Sequence, residues 1–254
     1  VNIAQWTQLG GDIDGEAAGD KSGTSVSSSA DGSIVAIGAY LNDGNGSNAG
    51  HVRVYNLTSG VWVQLGGDID GEAAGDKSGT SVSSSADGSI VAIGAYLNDG
   101  NGSNAGHVRV YNLTSGVWVQ LGGDIDGEAA NDYSGISTSL SADGSIVAIG
   151  AYGNAGNGSN AGHVRVYSLT AGVWVQLGGD IDGEATNDKS GYSTSLSADG
   201  SIVAIGAYGN NGNNGNVRVY GYNAASSEPS AAPSGAPSSP SGAPSSEPSG
   251  APSS

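Results

Sequence analysis

Cysteine, methionine and phenylalanine are all missing from this 254-residue chain. Without cysteine there is no disulfide framework and no thiol chemistry. A large secreted domain can fold without bridges, so the absence assigns no compartment. The chain begins at Val1, contains no Met and shows no signal peptide, so it reads as a mature or excerpted product. Positive charge is scarce: seven Lys and Arg stand against 24 Asp and Glu, for a formal net charge of −17. Binding to nucleic acid needs a basic face, so neither nucleic acid nor an anionic membrane surface is expected as a partner. No apolar run reaches the roughly 18 residues of a spanning helix, so no membrane span is expected.

What is present is repetition. Trp6, Trp62, Trp118 and Trp174 mark a period of 56 residues, and residues 8–74 recur unchanged as 64–130. A fixed period of this kind signals stacked or radially arranged copies of one supersecondary unit. Copies so alike leave little room for one asymmetric active site. No Ser-His-Asp or Cys-His set stands out, and the chain is expected not to be an enzyme. A hydrolase using a central channel is a distant third reading.

Within residues 21–66 the grammar is that of four short strands. Residues 24–29 (TSVSSS) form the first. The turn Ala30-Asp31-Gly32 leads into residues 33–40 (SIVAIGAY), an apolar run suited to burial on both faces. An Asn/Gly-rich loop over 41–50 precedes residues 51–56 (HVRVYN), which alternate with period two. Residues 61–65 (VWVQL) alternate as well, after a turn at 57–60. One such strand at 3–9, three full sets and a final three ending at 216–222 give four blades of four. The fold expected is therefore an all-β, four-bladed β-propeller over residues 1–223. Its N-terminal strand would close the last blade and remove an exposed edge. A linear β-solenoid is the alternative.

The segment SGTSVSSSADGSIVAIGAY (residues 22–40) resembles the FG-GAP repeat of integrin-α-type propellers. Ser22-Gly23 stands where that family has Phe-Gly, and Gly38-Ala39-Tyr40 where it has Gly-Ala-Pro. The likeness is nearest to secreted tandem FG-GAP-like proteins of microbes and algae, and it covers all four repeats. Those propellers usually have seven blades, and this chain supplies four. The family's calcium loop lies between the first and second strands. Here that connection is only Ala30-Asp31-Gly32-Ser33, too short to wrap a cation, so that site does not carry over.

The acidic residues instead recur between the fourth strand and the next blade, in GGDIDGEAAGDKSG. They are Asp12, Asp14, Glu16 and Asp20; Asp68, Asp70, Glu72 and Asp76; Asp124, Asp126, Glu128 and Asp132; and Asp180, Asp182, Glu184 and Asp188. These loops hold sixteen of the 24 carboxylates. Carboxylates at i, i+2 and i+4 around a Gly are a candidate Ca²⁺ site. The competing reading is a structural turn in which Asp side chains bond backbone amides. His51, His107 and His163 share one repeat position and Asn216 takes the fourth. One His per blade is expected to make ordinary hydrogen bonds. Arg53, Arg109, Arg165 and Arg218 are expected to pair with a neighbouring acidic loop, and the Trp rings to pack between blades.

Five N-x-[ST] sequons, at Asn45, Asn56, Asn101, Asn112 and Asn157, fall in the long loop or at a turn, where a glycan leaves the core undisturbed. Residues 224–254 are a different polymer, an extended polyproline-II-like stalk or linker. Its Pro-Ser pairs are candidates for O-glycosylation: Pro229-Ser230, Pro233-Ser234, Pro237-Ser238, Pro240-Ser241, Pro244-Ser245, Pro248-Ser249 and Pro252-Ser253. Together these features predict a non-enzymatic, extracellular or cell-surface structural or adhesive glycoprotein that self-associates into a fibril or matrix. The alternative is a multivalent carbohydrate- or calcium-dependent binding module.

Overall fold

A computed structural model describes residues 5–223. The proposed Pro/Ser stalk and its modified residues lie outside the described residues. The first repeat forms β1 (Ser25–Ser28), β2 (Ile34–Ala39), β3 (His51–Thr58), β4 (Val61–Gln64) and a short β5 (Ile69–Asp70). The second repeat forms β6 (Ser81–Ser84), β7 (Ile90–Ala95), β8 (His107–Thr114), β9 (Val117–Gln120) and β10 (Ile125–Asp126). The third forms β11 (Ser134–Leu140), β12 (Ile146–Ala151), β13 (His163–Thr170), β14 (Val173–Gln176) and β15 (Ile181–Asp182). The fourth has β16 (Ser190–Leu196), β17 (Ile202–Ala207), a one-turn helix α1 (Asn210–Asn213) and β18 (Asn216–Gly221). All strand pairings within the sheets are antiparallel, with β2 and β3 in register from Ile34↔Asn56 to Ala39↔His51.

The chain is thus all-β, with four similar blade-like sheets of propeller type. The Ala-Asp-Gly turn between the first two strands closes on its own side chains. The Asp31 carboxylate accepts hydrogen bonds from the Ser29 and Ser33 hydroxyls and the Ser33 amide. These donors hold it at a pKa of about 2. Asp199 is held at about 2 in the same way.

The core lies between sheets rather than within one. Ala36, Val52 and Val54 of the first sheet pack against Val82, Val91 and Ile93 of the second. Between the second and third sheets Ala92, Val108 and Val110 pack with Leu140, Val147 and Ile149, and between the third and fourth Ala148 and Val164 pack with Val203 and Ile205. Polar contacts stitch the same junctions. The Ser25, Ser81 and Ser137 hydroxyls donate to the carbonyls of Gly79, Gly135 and Gly191 in the next sheet. The amides of Ala30, Ala86 and Ala142 donate to the carbonyls of Ala86, Ala142 and Ala198. The approach is so close that a Cβ on Gly38, Gly94 or Gly150 would collide with that same Gly79, Gly135 or Gly191 carbonyl. This is the physical reason for glycine in the IVAIGA strand.

One part of the expectation is corrected. The described residues 5–9 form no strand, and among the described residues β18 pairs only with β17, leaving three described strands in the last sheet. The N-terminal segment reaches the first sheet instead, where the Leu9 carbonyl accepts a 2.8 Å hydrogen bond from Trp62 Nε1. Identical repeats fix the contact between neighbours, and that contact sets the curvature. They carry no separate instruction for the first blade to meet the last. Among the described residues, no helix is long and apolar enough to cross a membrane.

Candidate functional site

The short β5, which the sequence pattern did not reveal, organises the acidic loops. It pairs with the start of β3, setting Asp70 opposite His51 and Ile69 opposite Val52. Each His is thereby clasped between the acidic loop that precedes its sheet and the one that follows it. His51 Nδ1 lies 3.8 Å from Glu16 Oε2 and 4.0 Å from Asp70 Oδ1. His107 Nδ1 lies 3.8 Å from Glu72 Oε2 and 4.0 Å from Asp124 Oδ2. His163 Nδ1 lies 3.8 Å from both Glu128 Oε2 and Asp180 Oδ2. Three convergent sets result, Glu16–His51–Asp68, Glu72–His107–Asp124 and, on His163, Glu128 with Asp132 or Asp180 with Asp182.

The imidazoles are 1% exposed. Among the described residues, both ring nitrogens of His107 and His163 lack a hydrogen-bond partner. The expectation that each His makes ordinary hydrogen bonds is therefore corrected for His107 and His163. Spacing could not show this, because the ligating partners come from two different loops. Burial, with the neighbouring Arg109 guanidinium, pushes the His107 pKa down to about 4, and burial with Arg165 lowers that of His163. Both rings are neutral at pH 7 and carry a free lone pair. Burial also raises the pKa of Glu72.

The loop aspartates, including those in the His-centred sets, also make hydrogen bonds within the loops. Asp12, Asp68, Asp124 and Asp180 accept from the side-chain amides of Gln8, Gln64, Gln120 and Gln176. The carbonyls of Asp14, Asp70, Asp126 and Asp182 accept from Arg53, Arg109, Arg165 and Arg218 at 2.6–2.7 Å. Asp20, Asp76, Asp132 and Asp188 accept from a loop amide and from Asn42, Asn98, Asn154 and Asn210 respectively. Those last four residues behave as the structural-turn reading anticipates. Glu184 meets Asn216 in place of a His, at 3.2 Å.

Arg53, Arg109 and Arg165 reach the preceding loop's Glu at 3.4–3.6 Å through Oε1. The expected Arg-to-loop pairing is therefore present. Trp118 and Trp174 donate to the Leu65 and Leu121 carbonyls of the preceding repeat. The sequon side chains of Asn45, Asn101 and Asn157 donate to the carbonyls of Gly71, Gly127 and Gly183. The expectation that every sequon falls in the long loop or at a turn is corrected for Asn56 and Asn112, which lie inside β3 and β8, half-buried and paired opposite Val63 and Val119, because the strand runs on to Thr58 and Thr114.

The two ends of the array are uncovered. Val26 is 64% exposed, where its equivalent Val82 is 8% exposed. Val217 is 69% exposed, where Val164 is wholly buried. Trp6 is fully exposed, unlike the other three Trp. Where a fourth strand of the last sheet would lie there is a cavity of about 190 Å³, lined by Leu177, Gly178, Val203, Tyr220 and Tyr222.

No family model matches the chain, and no curated protein matches it by sequence. Solved structures match by shape. One is a candidate 6-phosphogluconolactonase from Bacteroides uniformis, 12% identical, with a TM-score of 0.52 over 78% of this chain and 50% of that one. Another is the hydrazine synthase of Kuenenia stuttgartiensis, 13% identical, with a TM-score of 0.51 over 83% of this chain and 49% of that one. The chain spans about half the length of these structures. At such identities the likeness shows the propeller-type fold alone. It also corrects the expectation of a non-enzyme. Structures of this type include ones named for catalysis, so repetition of the blade does not exclude an active site.

Proposed function

We propose that the chain is a structural or adhesive extracellular glycoprotein of FG-GAP-like repeats that assembles end to end through its two open faces. The observation that carries this reading is the unmatched pair of ends. The last sheet offers Ala204, Val217 and Val219, the counterparts of Ala36, Val52 and Val54. The first sheet offers the exposed Val26 and the half-buried Val35, the counterparts of Val82 and Val91. These are the two halves of a junction the chain already makes three times.

The exposed Trp6 fits the same scheme. Trp62 bonds the Leu9 carbonyl 53 residues before it, and its indole covers Gly10. By the same offset, Trp6 of an incoming copy would bond the Leu177 carbonyl and cover Gly178, inside the vacant fourth-strand cavity. This is strand donation between chains, with a heterologous interface that repeats without closing. The five sequons support an extracellular setting. Mass spectrometry of the secreted chain, with and without glycan removal, locates the occupied sites.

The assembly test is light scattering and negative-stain imaging of the full chain. Filaments are expected, and Val217→Lys with Val219→Lys is expected to return them to monomers. Monomers of the unaltered chain at high concentration would sink the reading.

A further inference from the structure

We infer that the three His-centred clusters are binding sites for a divalent ion of the zinc class, held between successive acidic loops. This goes beyond the assembly reading and is independent of it. The His51 and His107 clusters each present one imidazole nitrogen and two carboxylates from separate loops, and His163 meets Glu128 and Asp132 of the preceding loop on one side and Asp180 and Asp182 of the following loop on the other. The donor atoms within each set lie within 4.8 Å of one another. The approaches of Nδ1 to its carboxylates, 3.8–4.0 Å, need only a small contraction. Donors about 2.0–2.1 Å from a tetrahedral ion stand about 3.4 Å apart.

The donor set argues for the class of ion. A nitrogen with two carboxylates suits Zn²⁺ or Co²⁺, whereas Ca²⁺ asks for six to eight oxygens. The unpartnered imidazoles make the clusters more than acidic patches. His107 and His163 are almost wholly buried, and among the described residues neither ring nitrogen has a hydrogen bond. Leaving a buried polar group unsatisfied is costly, and a bound ion removes the cost at Nδ1.

The Glu side chain is divided between two tasks. Its Oε1 faces Arg53, Arg109 or Arg165, and its Oε2 faces the His. The Arg thus orients the carboxylate, the positioning that an outer partner supplies at metal sites. The fourth repeat provides an internal comparison. It has no acidic loop after it to supply the second carboxylate, and there the His position is Asn216. Histidine occurs only where both loops are present.

Isothermal titration of the full chain with Zn²⁺ is expected to give three sites, and Co²⁺ to give the visible bands of a four-coordinate ion. The variant His51→Asn/His107→Asn/His163→Asn is expected to lose all three. Asn at this position already supports the fold, since Asn216 pairs with Ala207 as His163 does with Ala151. Should the triple variant fail by circular dichroism, Glu16→Gln/Glu72→Gln/Glu128→Gln replaces it, because these side chains are about 43% exposed. It is expected to weaken Zn²⁺ at least tenfold. No Zn²⁺ binding by the unaltered chain, equal binding by the variants, or Ca²⁺ filling three sites where Zn²⁺ fills none would overturn the assignment. Repeating the titration on Val217→Lys/Val219→Lys separates it from assembly, since the three clusters lie inside one chain.

Discussion

The third and fourth repeats are close copies, yet their β-sheets live in different environments. Val164 in β13 is wholly buried and Val217 in β18 is 69% exposed, although both occupy the same place in an HVRVY-type strand. The third sheet is covered on both faces, and the fourth only on one. Burial in this protein is therefore a property of the junction between repeats, not of the repeat. That is the quasi-one-dimensional behaviour of repeat architectures, in which each unit is stabilised mainly by its neighbours.

The sharpest way to break the comparison is at the glycines of the IVAIGA strands. A methyl on Gly150 would meet the Gly191 backbone carbonyl, which cannot swing away, so the two sheets must part. Gly150→Ala is expected to cost about 3 kcal/mol or more. At Gly206 the methyl meets only the Ser193 hydroxyl, a movable group, and Gly206→Ala is expected to cost under about 1 kcal/mol. Urea denaturation of both variants checks the pair. Equal losses would mean that the last junction is covered in solution.

Valine truncation sharpens the same contrast more gently. Val164→Ala is expected to cost about 2 kcal/mol, through lost burial and the cavity left behind. Val217→Ala is expected to cost a few tenths of a kcal/mol in the monomer, and far more once end-to-end contacts form.

Acid separates the repeats by their His position. His107 has a pKa of about 4 when folded and the ordinary 6.5 when unfolded. As pH falls through 6.5 the unfolded chain takes up a proton that the folded chain refuses. Stability is therefore complete above pH 6.5 and declines towards pH 4. For this one group the loss is about 2 kcal/mol by pH 5. His107 is faced by Glu72, Asp124, Asp76 and Arg109. Keeping to pH 5–8 limits interference from the carboxylates. Chemical denaturation in chelator, comparing the chain with its triple His→Asn variant, is expected to show the slope only in the former.

Much of this was legible in the chain. The 56-residue period gave the blade count, and the SVSS, IVAIGA, HVRVY and VWVQ segments form strands within two residues of their expected bounds. Local alternation and turn chemistry suffice for that. Three features were not legible, and each depends on contact between distant segments. The two-residue β5 is too short to show a period. The His sets draw Glu16 and Asp68 to His51 from 35 residues before and 17 after. Closure of the array depends on the first sheet meeting the last, for which identical repeats carry no separate instruction.

The smallest expected effect concerns the tryptophans, and it tests whether the ends differ from the middle in the manner described. Trp174 Nε1 donates to the Leu121 carbonyl at 2.7 Å, and its ring lies over Gly122. Trp174→Phe removes that hydrogen bond while keeping most of the ring, for an expected loss of about 1 kcal/mol. Trp6 has no such partner among the described residues, and Trp6→Phe is expected to leave monomer stability unchanged within about 0.3 kcal/mol. It should nevertheless weaken assembly, because the Leu177 carbonyl of a second copy is where its indole N–H belongs. A Trp6 variant that destabilises the monomer as much as Trp174→Phe would mean that the N-terminal segment closes its own last sheet after all.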